Sequence, residues 1–543
     1  MFKKIFAFGF IFFTLLSCGK REEDASADLP GVLVMEAAIN GSVIRGTNVR
    51  NIPLKDNVIR LTFSKPVDFS SVIPQYFVFT GGGLTLSKGE DDMSVLIHLP
   101  SPLQSVSKYT LVVLSGEQMG VNMIQPYKLT IMTGVSQDDV FPRISTDELL
   151  TKVQSQTFKY FWDYAHPVSG LTRERYGSGN TVTAGGSGFG IMALPVGVER
   201  GFITREEAAG HMRKILTFLS TKADRFHGAF PHWLNGETGA IIPFSDKDNG
   251  GDLVETALLF QGLLTAARYF DGADEEDIRS DIDALWRAVE WDWYTRGGQN
   301  ALYWHWSPSL DWAMNMKISG WNEGLITYVL AASSPTHSIS KDVYKYGWAR
   351  NGGLRNGRKF YDVTLPLGPD YGGPLFFSHY SFLGLDPRNL SDTYASYWDQ
   401  NCAHSKINNL YCKANPGSKS GYSAVCWGLT ASDYPQGYTA SSPTNDTGTI
   451  APTAALSSFP YTPEESLAAL EYFYYKLGDR IFGEYGFRDA FNQGEAWFAN
   501  SYIAIDQGPI ILMIENYRSG LLWNCFMQHP DIQSGLEKLG FTW

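Results

Sequence analysis

Several features that mark common protein classes are scarce or missing in this sequence. Its 543 residues include only five cysteines, and their spacing matches no zinc-binding pattern. Basic residues number 44 against 56 acidic ones, a formal net charge of −12, which argues against nucleic acid because a polyanion needs a basic face. Beyond the N-terminal segment, no stretch approaches the ~20 consecutive apolar residues that a membrane-spanning helix needs. We therefore expect a soluble mature chain that binds a neutral partner.

The signatures of several enzyme classes are missing as well. The sequence contains no serine, histidine and aspartate elbow, no phosphate-binding loop and no metal-ligand motif, so we expect neither a cofactor nor a metal. Aromatic residues, in contrast, are abundant, with 15 Trp, 28 Tyr and 33 Phe. Flat rings pack against the C–H faces of sugars, although a large helical core also accounts for many of them.

The first residues predict export. Two lysines precede an apolar stretch over residues 5–16 that is too short to span a membrane, a pattern typical of a signal peptide. Residues 15–18, LLSC, resemble the bacterial lipobox, in which the cysteine is acylated after cleavage. We predict a signal peptide over 1–17, lipidation at Cys18 and a solvated tether over 18–30, giving an exported lipoprotein of the cell envelope on the periplasmic or surface face of the outer membrane. An ordinary signal peptide with an incidental cysteine is the alternative.

The residues from 31 to 135 show the two-residue period of β-strands. Turn clusters rich in glycine and aspartate separate the apolar stretches, and this spacing predicts a small all-β sandwich of immunoglobulin type. The predicted strands are 58–63, 76–80, 94–98, 109–114 and 127–132. Because no candidate catalytic side chains are concentrated here, we interpret the region as a spacer or docking module. Residues 136–150 are a linker and the start of the first helix.

From residue 151 to 543 the period becomes that of helices. Some predicted helices have one polar face, whereas others, such as 253–264 and 510–514, are apolar almost all round. Alternating half-exposed and buried helices are what two concentric rings produce, so the fold class is mainly α, with an (α/α)6 barrel after the β domain. The predicted helices are 145–162, 186–199, 204–222, 252–270, 276–294, 322–333, 374–383, 391–412, 420–429, 463–477, 501–504 continuing after a break at Pro509 to 516, and 518–527.

One group of acids lies at the start of a buried helix. In FSDKDNGGDLVETALLFQG (244–262), Asp248 stands in a loop, and Asp252 and Glu255 stand three residues apart in the first helical turn, on one face. An aspartate followed three residues later by a glutamate also resembles a capping box, in which both side chains bind free amides. A cap does not need the additional acids in the loop before Asp252, so we favour a catalytic or binding role for the group.

A second acid, Glu323, opens the apolar helix of KISGWNEGLITYVL (317–330). Several tryptophans stand close to it in sequence, namely Trp304, Trp306, Trp312 and Trp321. Indoles that desolvate a carboxyl raise its pKa, as a general acid requires, while a helix N-terminus favours the ionised form. The alternative role of Glu323 is to stabilise the helix dipole.

The C-terminal part supplies a third acid. Asp506, just before Gly508 and Pro509, is predicted to cap another buried helix, with Glu495 and Trp497 in the preceding loop. If the inner helices of a barrel run parallel, their N-termini share one rim, and the acids would converge on one mouth. Acetal hydrolysis needs such an arrangement, with one protonated carboxyl for the leaving oxygen and one carboxylate to activate water or attack the sugar.

Three further polar residues are candidates for contacts with sugar hydroxyls. His379 and Tyr380 lie in GGPLFFSHYSFLGLDPR (372–388), and Asp433 lies in WGLTASDYPQGY (427–438). A histidine in an aromatic segment is also commonly a structural residue, and an aspartate before a turn commonly forms an Asx turn.

Several long motifs, in order, resemble the glucoamylase-like family of Bacteroidetes lipoproteins, grouped with the endo-β-1,2-glucanases of glycoside hydrolase family 144. They are TFKYFWDYAHPVSGLTRER (157–175), GSGFGIMALPVGVERGFIT (186–204), FPHWLNGETG (230–239), DNGGDLVETALLFQGLL (248–264), GWNEGLITYVLA (320–331), GGPLFFSHYSFLGLDPR (372–388) and the run after Glu495. The resemblance covers about 150–543 and leaves the β domain outside.

This resemblance implies an (α/α)6 barrel, an inverting hydrolase and no nucleotide cofactor. It implies Glu323 as the general acid and the acids at 248, 252 and 255 as base and substrate-binding group, with Asp506 as a reserve base. We expect a monomer that releases sophoro-oligosaccharides from β-1,2-glucan. An exo-acting glucosidase on another linkage and a non-catalytic glycan-binding lipoprotein are the competing hypotheses.

Overall fold

The computed structural model describes residues 29–543, which divide into two compact units after Gly134. The predicted signal peptide, the lipidation site Cys18 and all but the last two residues of the predicted tether lie outside the described residues. Within the part that is described, no helix is both long enough and apolar enough to cross a membrane.

The N-terminal unit consists of β-strands. The strands are β1 (Gly31–Val32), β2 (Val34–Ile39), β3 (Ser42–Val43), β4 (Asn48–Ile52), β5 (Val58–Phe63), β6 (Phe77–Phe79), β7 (Thr85–Lys88), β8 (Ser94–His98), β9 (Lys108–Val113), β10 (Gly116–Gln118), β11 (Val121–Met123) and β12 (Tyr127–Thr133). A five-stranded sheet has the order β3, β2, β5, β8, β7, a four-stranded sheet has the order β4, β12, β9, β6, and β1, β11 and β10 form a smaller third sheet.

Alternating side chains form the core of this unit. In β5, Ile59 and Leu61 are buried while Arg60 between them is exposed, as a strand with one buried face requires. Residues of both larger sheets, such as Leu61 and Leu129, belong to one apolar cluster. All five predicted strands are confirmed within one or two residues, and the strands that the pattern missed are mostly short or polar.

The C-terminal unit is mainly helical. Its helices are α1 (Thr146–Trp162), α2 (Ala184–Glu199), α3 (Arg205–Thr221), α4 (Leu253–Tyr269), α5 (Glu276–Arg287), α6 (Leu325–Ser333), α7 (Lys341–Val343), α8 (Tyr397–Ala414), α9 (Pro452–Leu456), α10 (Pro463–Ile481), α11 (Ala504–Arg518), α12 (Leu521–Met527) and α13 (Pro530–Leu539). Helices α2, α4, α6 and α11 are almost wholly buried, whereas α1, α3, α5 and α13 each expose one face.

The buried helices approach one another closely. Helix α2 packs against α4 on one side and α11 on the other, and α4 also packs against α6. A Cβ atom on Gly188 would lie 2.2 Å from the carbonyl oxygen of Leu258, and one on Gly262 would lie 2.2 Å from that of Gly188. Because glycine alone allows such contact, these residues set the spacing between α2 and α4.

Short strands fix the loops in front of these helices. They are β13 (Thr181–Thr183), β14 (Trp233–Asn235), β15 (Ile241–Ile242), β16 (Gly251–Asp252), β17 (His305–Trp306), β18 (Lys359–Phe360), β19 (Val363–Thr364), β20 (Ala431–Tyr434), β21 (Gly437–Ala440), β22 (Phe482–Gly483), β23 (Gly486–Phe487), β24 (Phe491–Asn492) and β25 (Trp497–Phe498). Strand β16 leads directly into α4 and pairs with β17, so that Asp252 lies opposite His305 and Gly251 opposite Trp306.

Two predicted helices are wrong. Residues 374–383 form two short 3-10 turns, because the Ser378 carbonyl, which an α-helix would pair with the N–H of Phe382, accepts from the Tyr461 hydroxyl, and that N–H bonds to the His379 carbonyl. Residues 420–429 form no helix, because the positive φ angles of the two glycines in this segment, 87° at 421 and 132° at 428, are incompatible with one.

Other predicted helix ends are corrected. The helix predicted over 276–294 ends at Arg287, and the N–H of Glu290 bonds to the carbonyl of His227 instead. The helix predicted from residue 391 begins at Tyr397, because Asp392 forms a turn and Ser396 supplies the cap. Pro509 lies inside α11 rather than at a break.

Candidate active site

A cavity of about 420 Å³ lies where the N-terminal ends of buried helices meet in the helical unit. Thr183 precedes α2, Glu255 is in the first turn of α4, Glu323 precedes α6, and Ile505 is in the first turn of α11; all four line the cavity. Its aromatic wall consists of Trp233, Phe244, Trp304, Phe376, Tyr380 and Tyr438. The predicted convergence of acids from distant segments therefore holds for Glu255 and Glu323.

Asp252 uses its two carboxylate oxygens for different purposes. Oδ1 accepts hydrogen bonds from the N–H groups of Val254 and Glu255, at 3.0 and 2.9 Å, which makes Asp252 the N-cap of α4. Oδ2 lies 3.2 Å from Nδ1 of His232 and accepts a bond of 3.2 Å from the indole N–H of Trp304. The capping interpretation is thus correct for one oxygen, and the other oxygen belongs to the cluster around His232.

Glu255 is not part of a capping box, because its side chain turns towards α2. Oε2 accepts hydrogen bonds from the backbone N–H of Gly185 at 2.7 Å and from the Thr183 hydroxyl at 3.1 Å. Oε1 lies 3.9 Å from Nε2 of His232. Burial, and then the negative charge of Asp252, raise the pKa of Glu255, while His232 and the two hydrogen bonds act to lower it.

Asp248 is the third acid of this group. It is 5% exposed, with Oδ2 at 3.9 Å from Nδ1 of His232 and Oδ1 at 3.4 Å from Nε2 of His305. Burial and the neighbouring carboxylate of Asp252 raise the pKa of Asp248 to about 7. Asp248 is not among the residues that line the cavity.

His232 is the cation of this cluster and was not singled out from the sequence. It precedes β14, and its ring stacks on Phe244 with the ring centroids 4.2 Å apart. Although burial opposes protonation, the carboxylates of Glu255, Asp252 and Asp248 raise the pKa of His232 to about 9. The imidazolium therefore partly neutralises three acids that would otherwise repel one another.

The same cluster has the spacing of a cation site. One ligand atom each from His232, Asp248 and Asp252 lie within 4.8 Å of one another, the one such group found among residues 29–543. A metal ion needs the imidazole in its neutral form, whereas the carboxylates around His232 favour its protonated form. With His232 protonated the group is an ion-paired cluster, and a divalent cation bound there would have to displace that proton.

Glu323 lines the same cavity from the segment that precedes α6. It lies just before Gly324, the N-cap residue of α6, and Ser381 holds it in place by donating to its carbonyl and accepting from the N–H of Ile326. Burial, and then the charges of Asp252 and Glu255, raise the pKa of Glu323 to about 7. A carboxyl with this pKa is protonated in a large part of the molecules at neutral pH, as a general acid must be.

A second acid group lies beside the cavity, around Arg175. The guanidinium donates to both oxygens of Asp433, at 3.2 and 3.3 Å, and to Glu174 at 2.9 Å. The N–H of Asp433 in turn donates to Asp489 at 2.6 Å. Burial raises the pKa of Asp489 to about 7, and burial together with the charge of Asp489 raises the pKa of Asp506 as well.

This group corrects two details of the sequence interpretation. Asp506 lies in the first turn of α11 and is not its cap, since Ile503 occupies that position. Asp433 lies in β20, where it forms an ion pair rather than an Asx turn. Neither Asp433 nor Asp506 lines the cavity, whereas Arg175, which sequence reasoning missed, does.

Of the remaining candidate residues, some line the cavity and others do not. Trp304 and Tyr380 line it, and Trp321 packs against Trp348 and Phe382 in the core. His379 is buried and bonds to Ser458, so it is a structural residue. The others are outside the lining, with Trp306 and Trp312 in an aromatic group near Trp293 and Glu495 and Trp497 at the turn between β24 and β25.

Comparison with known proteins gives consistent matches over the helical unit. Residues 315–530 match the family model described as "Putative glucoamylase". An exo β-1,2-glucooligosaccharide sophorohydrolase (non-reducing end) from Parabacteroides distasonis is 48% identical over 420 residues, which are 73% of this chain and 58% of that protein. The chain thus spans little more than half the length of this curated relative.

Solved structures give longer matches. The endo-β-1,2-glucanase from Chitinophaga pinensis, solved with sophorotriose and glucose, is 52% identical, covering 74% of this chain and 99% of that one with a TM-score of 0.72. A β-1,2-glucanase from Parabacteroides distasonis is 38% identical, covering 95% of this chain and 74% of that one with a TM-score of 0.71.

Proposed function

The chain belongs to the glucoamylase-like family that includes β-1,2-glucanases and sophorohydrolases of Bacteroidetes, and from this premise we propose that it is a glycoside hydrolase that cuts β-1,2-glucan. One observation carries the proposal: Glu323, with a pKa of about 7, lines the same aromatic-walled cavity as Glu255 and His232. Such a cavity offers a sugar both flat rings and the two kinds of carboxyl that hydrolysis needs.

In the proposed mechanism Glu323 is the general acid. Its protonated carboxyl donates a proton to the glycosidic oxygen as the bond from that oxygen to the anomeric carbon breaks. Desolvation of Glu323 favours the neutral form before the reaction. Trp304, whose ring lines the cavity beside Asp252, supplies a surface on which a sugar ring can pack.

We assign the general base to Glu255. Its Oε2 is held by Gly185 and Thr183, while its Oε1 makes no hydrogen bond within the described residues and belongs to a residue that lines the cavity. Both oxygens of Asp252 are already bonded, and Asp248 lies behind the lining. Glu255 takes a proton from water, and the resulting hydroxide oxygen bonds to the anomeric carbon with inversion. Asp506, whose pKa is raised by burial and by the charge of Asp489, remains the reserve base.

The finer architecture and the location belong to the same proposal. The alternation of buried and half-exposed helices supports an (α/α)6 barrel for the helical unit, and two sheets around one core support an immunoglobulin-type sandwich for the N-terminal unit. The LLSC sequence at 15–18 supports lipidation at Cys18 and attachment to the cell envelope. We propose that the protein acts there as a monomer on periplasmic or surface glucan.

A substrate panel tests the proposal. The full chain is incubated with linear β-1,2-glucan, β-1,3-glucan, maltooligosaccharides and buffer alone, and products are followed over time by chromatography. We expect sophoro-oligosaccharides from β-1,2-glucan only. Glucose release from maltooligosaccharides would support an exo-acting glucosidase instead, and tight binding of β-1,2-glucan without turnover would support a glycan-binding protein.

A further inference from the structure

A group of aromatic side chains lies outside the cavity, and the proposed mechanism does not use it. The group, called here the Trp293 patch, consists of His227, Trp293, Trp306 and Trp312. The ring of Trp293 stacks on His227 at 3.7 Å between centroids and lies 6.1 Å from Trp306 and 6.5 Å from Trp312. Trp293 remains 39% exposed, which is unusual for a residue that is mostly buried in folded proteins.

The Trp293 patch is connected to the cavity through β17. Trp306 lies two residues after Trp304, whose indole lines the cavity and bonds to Asp252. It also lies directly opposite Gly251, the residue before Asp252. Two residues of an extended strand span about 7 Å, close to the length of one sugar unit. A chain that enters the cavity along this strand therefore passes the patch.

The chemistry of the patch fits a neutral sugar polymer. The exposed indole of Trp293 offers an aromatic surface beside the half-buried rings of Trp306 and Trp312. Polar groups lie next to it, with Glu290 bonded to His227 at 2.9 Å and Arg296 above the ring of Trp312 at 5.9 Å. The adjacent loop contributes Asn249 and Ser309, which bond to each other at 3.2 Å. A pyranose chain packs its C–H faces against aromatic rings, and its hydroxyl groups need hydrogen-bond donors and acceptors close by. The patch provides both.

Because this inference rests on the proposed function, the occupant is the same glucan. We propose that the Trp293 patch is a distal subsite that binds the part of a β-1,2-glucan chain lying beyond the sugars held in the cavity. A cavity of about 420 Å³ accommodates a small ligand, so a polymer has to leave it across the neighbouring surface. The patch then strengthens the binding of long chains and leaves short ones unaffected.

The test compares two substrates and four proteins. KM is measured for β-1,2-glucan polymer and for the shortest β-1,2-linked oligosaccharide that the unmodified chain hydrolyses. The proteins are the unmodified full chain, Trp293→Ala, Trp293→Phe and the control Trp543→Ala, which removes an indole that is 40% exposed elsewhere in the helical unit. Thermal unfolding of each variant shows that it is folded, and Trp293→Phe keeps an aromatic face should the alanine variant be unstable.

We expect Trp293→Ala to raise KM for the polymer about tenfold, with KM for the short substrate and kcat unchanged, because one aromatic contact is lost. Trp293→Phe should raise KM for the polymer by less, and Trp543→Ala should leave it unchanged. An equal rise of KM for both substrates, or no rise for the polymer, would overturn the distal subsite. A change of molecular mass in light scattering without a change in KM would overturn it in favour of a contact with a second copy. If the unmodified chain hydrolyses no β-1,2-glucan, the proposed function itself has failed, a result distinct from all of these.

Discussion

The backbone N–H of Gly185 donates a hydrogen bond of 2.7 Å to Oε2 of Glu255, so the first turn of α2 orients a carboxylate that belongs to α4. A Cβ atom at residue 185 would lie 2.7 Å from that oxygen and 3.1 Å from Cδ1 of Leu258. We expect Gly185→Ala to displace the Glu255 carboxylate and lower kcat about 100-fold, since a shift of about 1 Å in a catalytic group has this effect. Steady-state kinetics on β-1,2-glucan measures it.

Gly210→Ala is the matched control. Gly210 lies on the exposed face of α3, and a Cβ atom there would meet nothing within 4 Å. Alanine loses less backbone entropy than glycine on folding, so this variant should keep its kcat and gain about 0.4–1 kcal/mol in the free energy of unfolding. Equal kcat values for the two alanine variants would contradict the orienting role of Gly185.

The two oxygens of Asp252 allow capping and catalysis to be separated. Asn keeps an oxygen for the N–H groups of Val254 and Glu255 but replaces the acceptor that faces His232 and Trp304 with an amide group. We expect Asp252→Asn to retain the cap and to lower kcat, because its amide N–H would face the N–H groups of His232 and Trp304 and displace the imidazole that lies beside Glu255. Asp252→Ala should also lower the free energy of unfolding by about 1–3 kcal/mol. Urea unfolding and kinetics on both variants measure the two effects. Full activity of Asp252→Asn would show that the residue only caps the helix.

The pKa of Glu323 predicts how kcat/KM depends on pH on the alkaline side of neutrality. Because the general acid must be protonated and the pKa of Glu323 is about 7, kcat/KM should fall as pH rises through about 7. Glu255, as the base, must be ionised, so kcat/KM should also fall on the acid side. Initial rates on β-1,2-glucan between pH 4 and pH 9 measure the profile. A rate that stays constant well above pH 7 would contradict a general acid with this pKa.

Removal of the charge on His232 should shift the acid side of the pH profile of kcat/KM. The imidazolium lowers the pKa of Glu255 and Asp248, so a neutral side chain at residue 232 raises both. We expect His232→Asn, whose amide N–H can still donate to Asp252, to shift the acid limb of kcat/KM to higher pH. The same profile measured on His232→Gln serves as the control for side-chain length. An acid limb that does not move in either variant would show that His232 does not act on the base.

Local periodicity predicted most of the fold. The apolar character of α4 and α11 indicated their burial, because a helix that is apolar all round has no solvent face. Periodicity failed where tertiary hydrogen bonds replace helical ones, as at 374–383, and it missed α13, which has proline at its first position and glycine after its last.

The candidate site was predicted in part. Glu255 and Glu323 could be identified because acids at the starts of apolar helices are conspicuous. His232, Arg175 and Asp489 could not, because each derives its role from charges brought near it by folding. His232 lies in the quoted motif FPHWLNGETG, but no neighbouring residue in the sequence indicates that three carboxylates surround it.

The most direct measurement is the hydrolysis of linear β-1,2-glucan by the unmodified chain and by Glu323→Gln, side by side at neutral pH. Glutamine preserves the shape of the side chain and removes the transferable proton, so kcat should fall by about 10²–10⁴-fold while the variant remains folded and binds the polymer. Equal rates for the two proteins, or no hydrolysis by the unmodified chain, would contradict a hydrolase that works through Glu323.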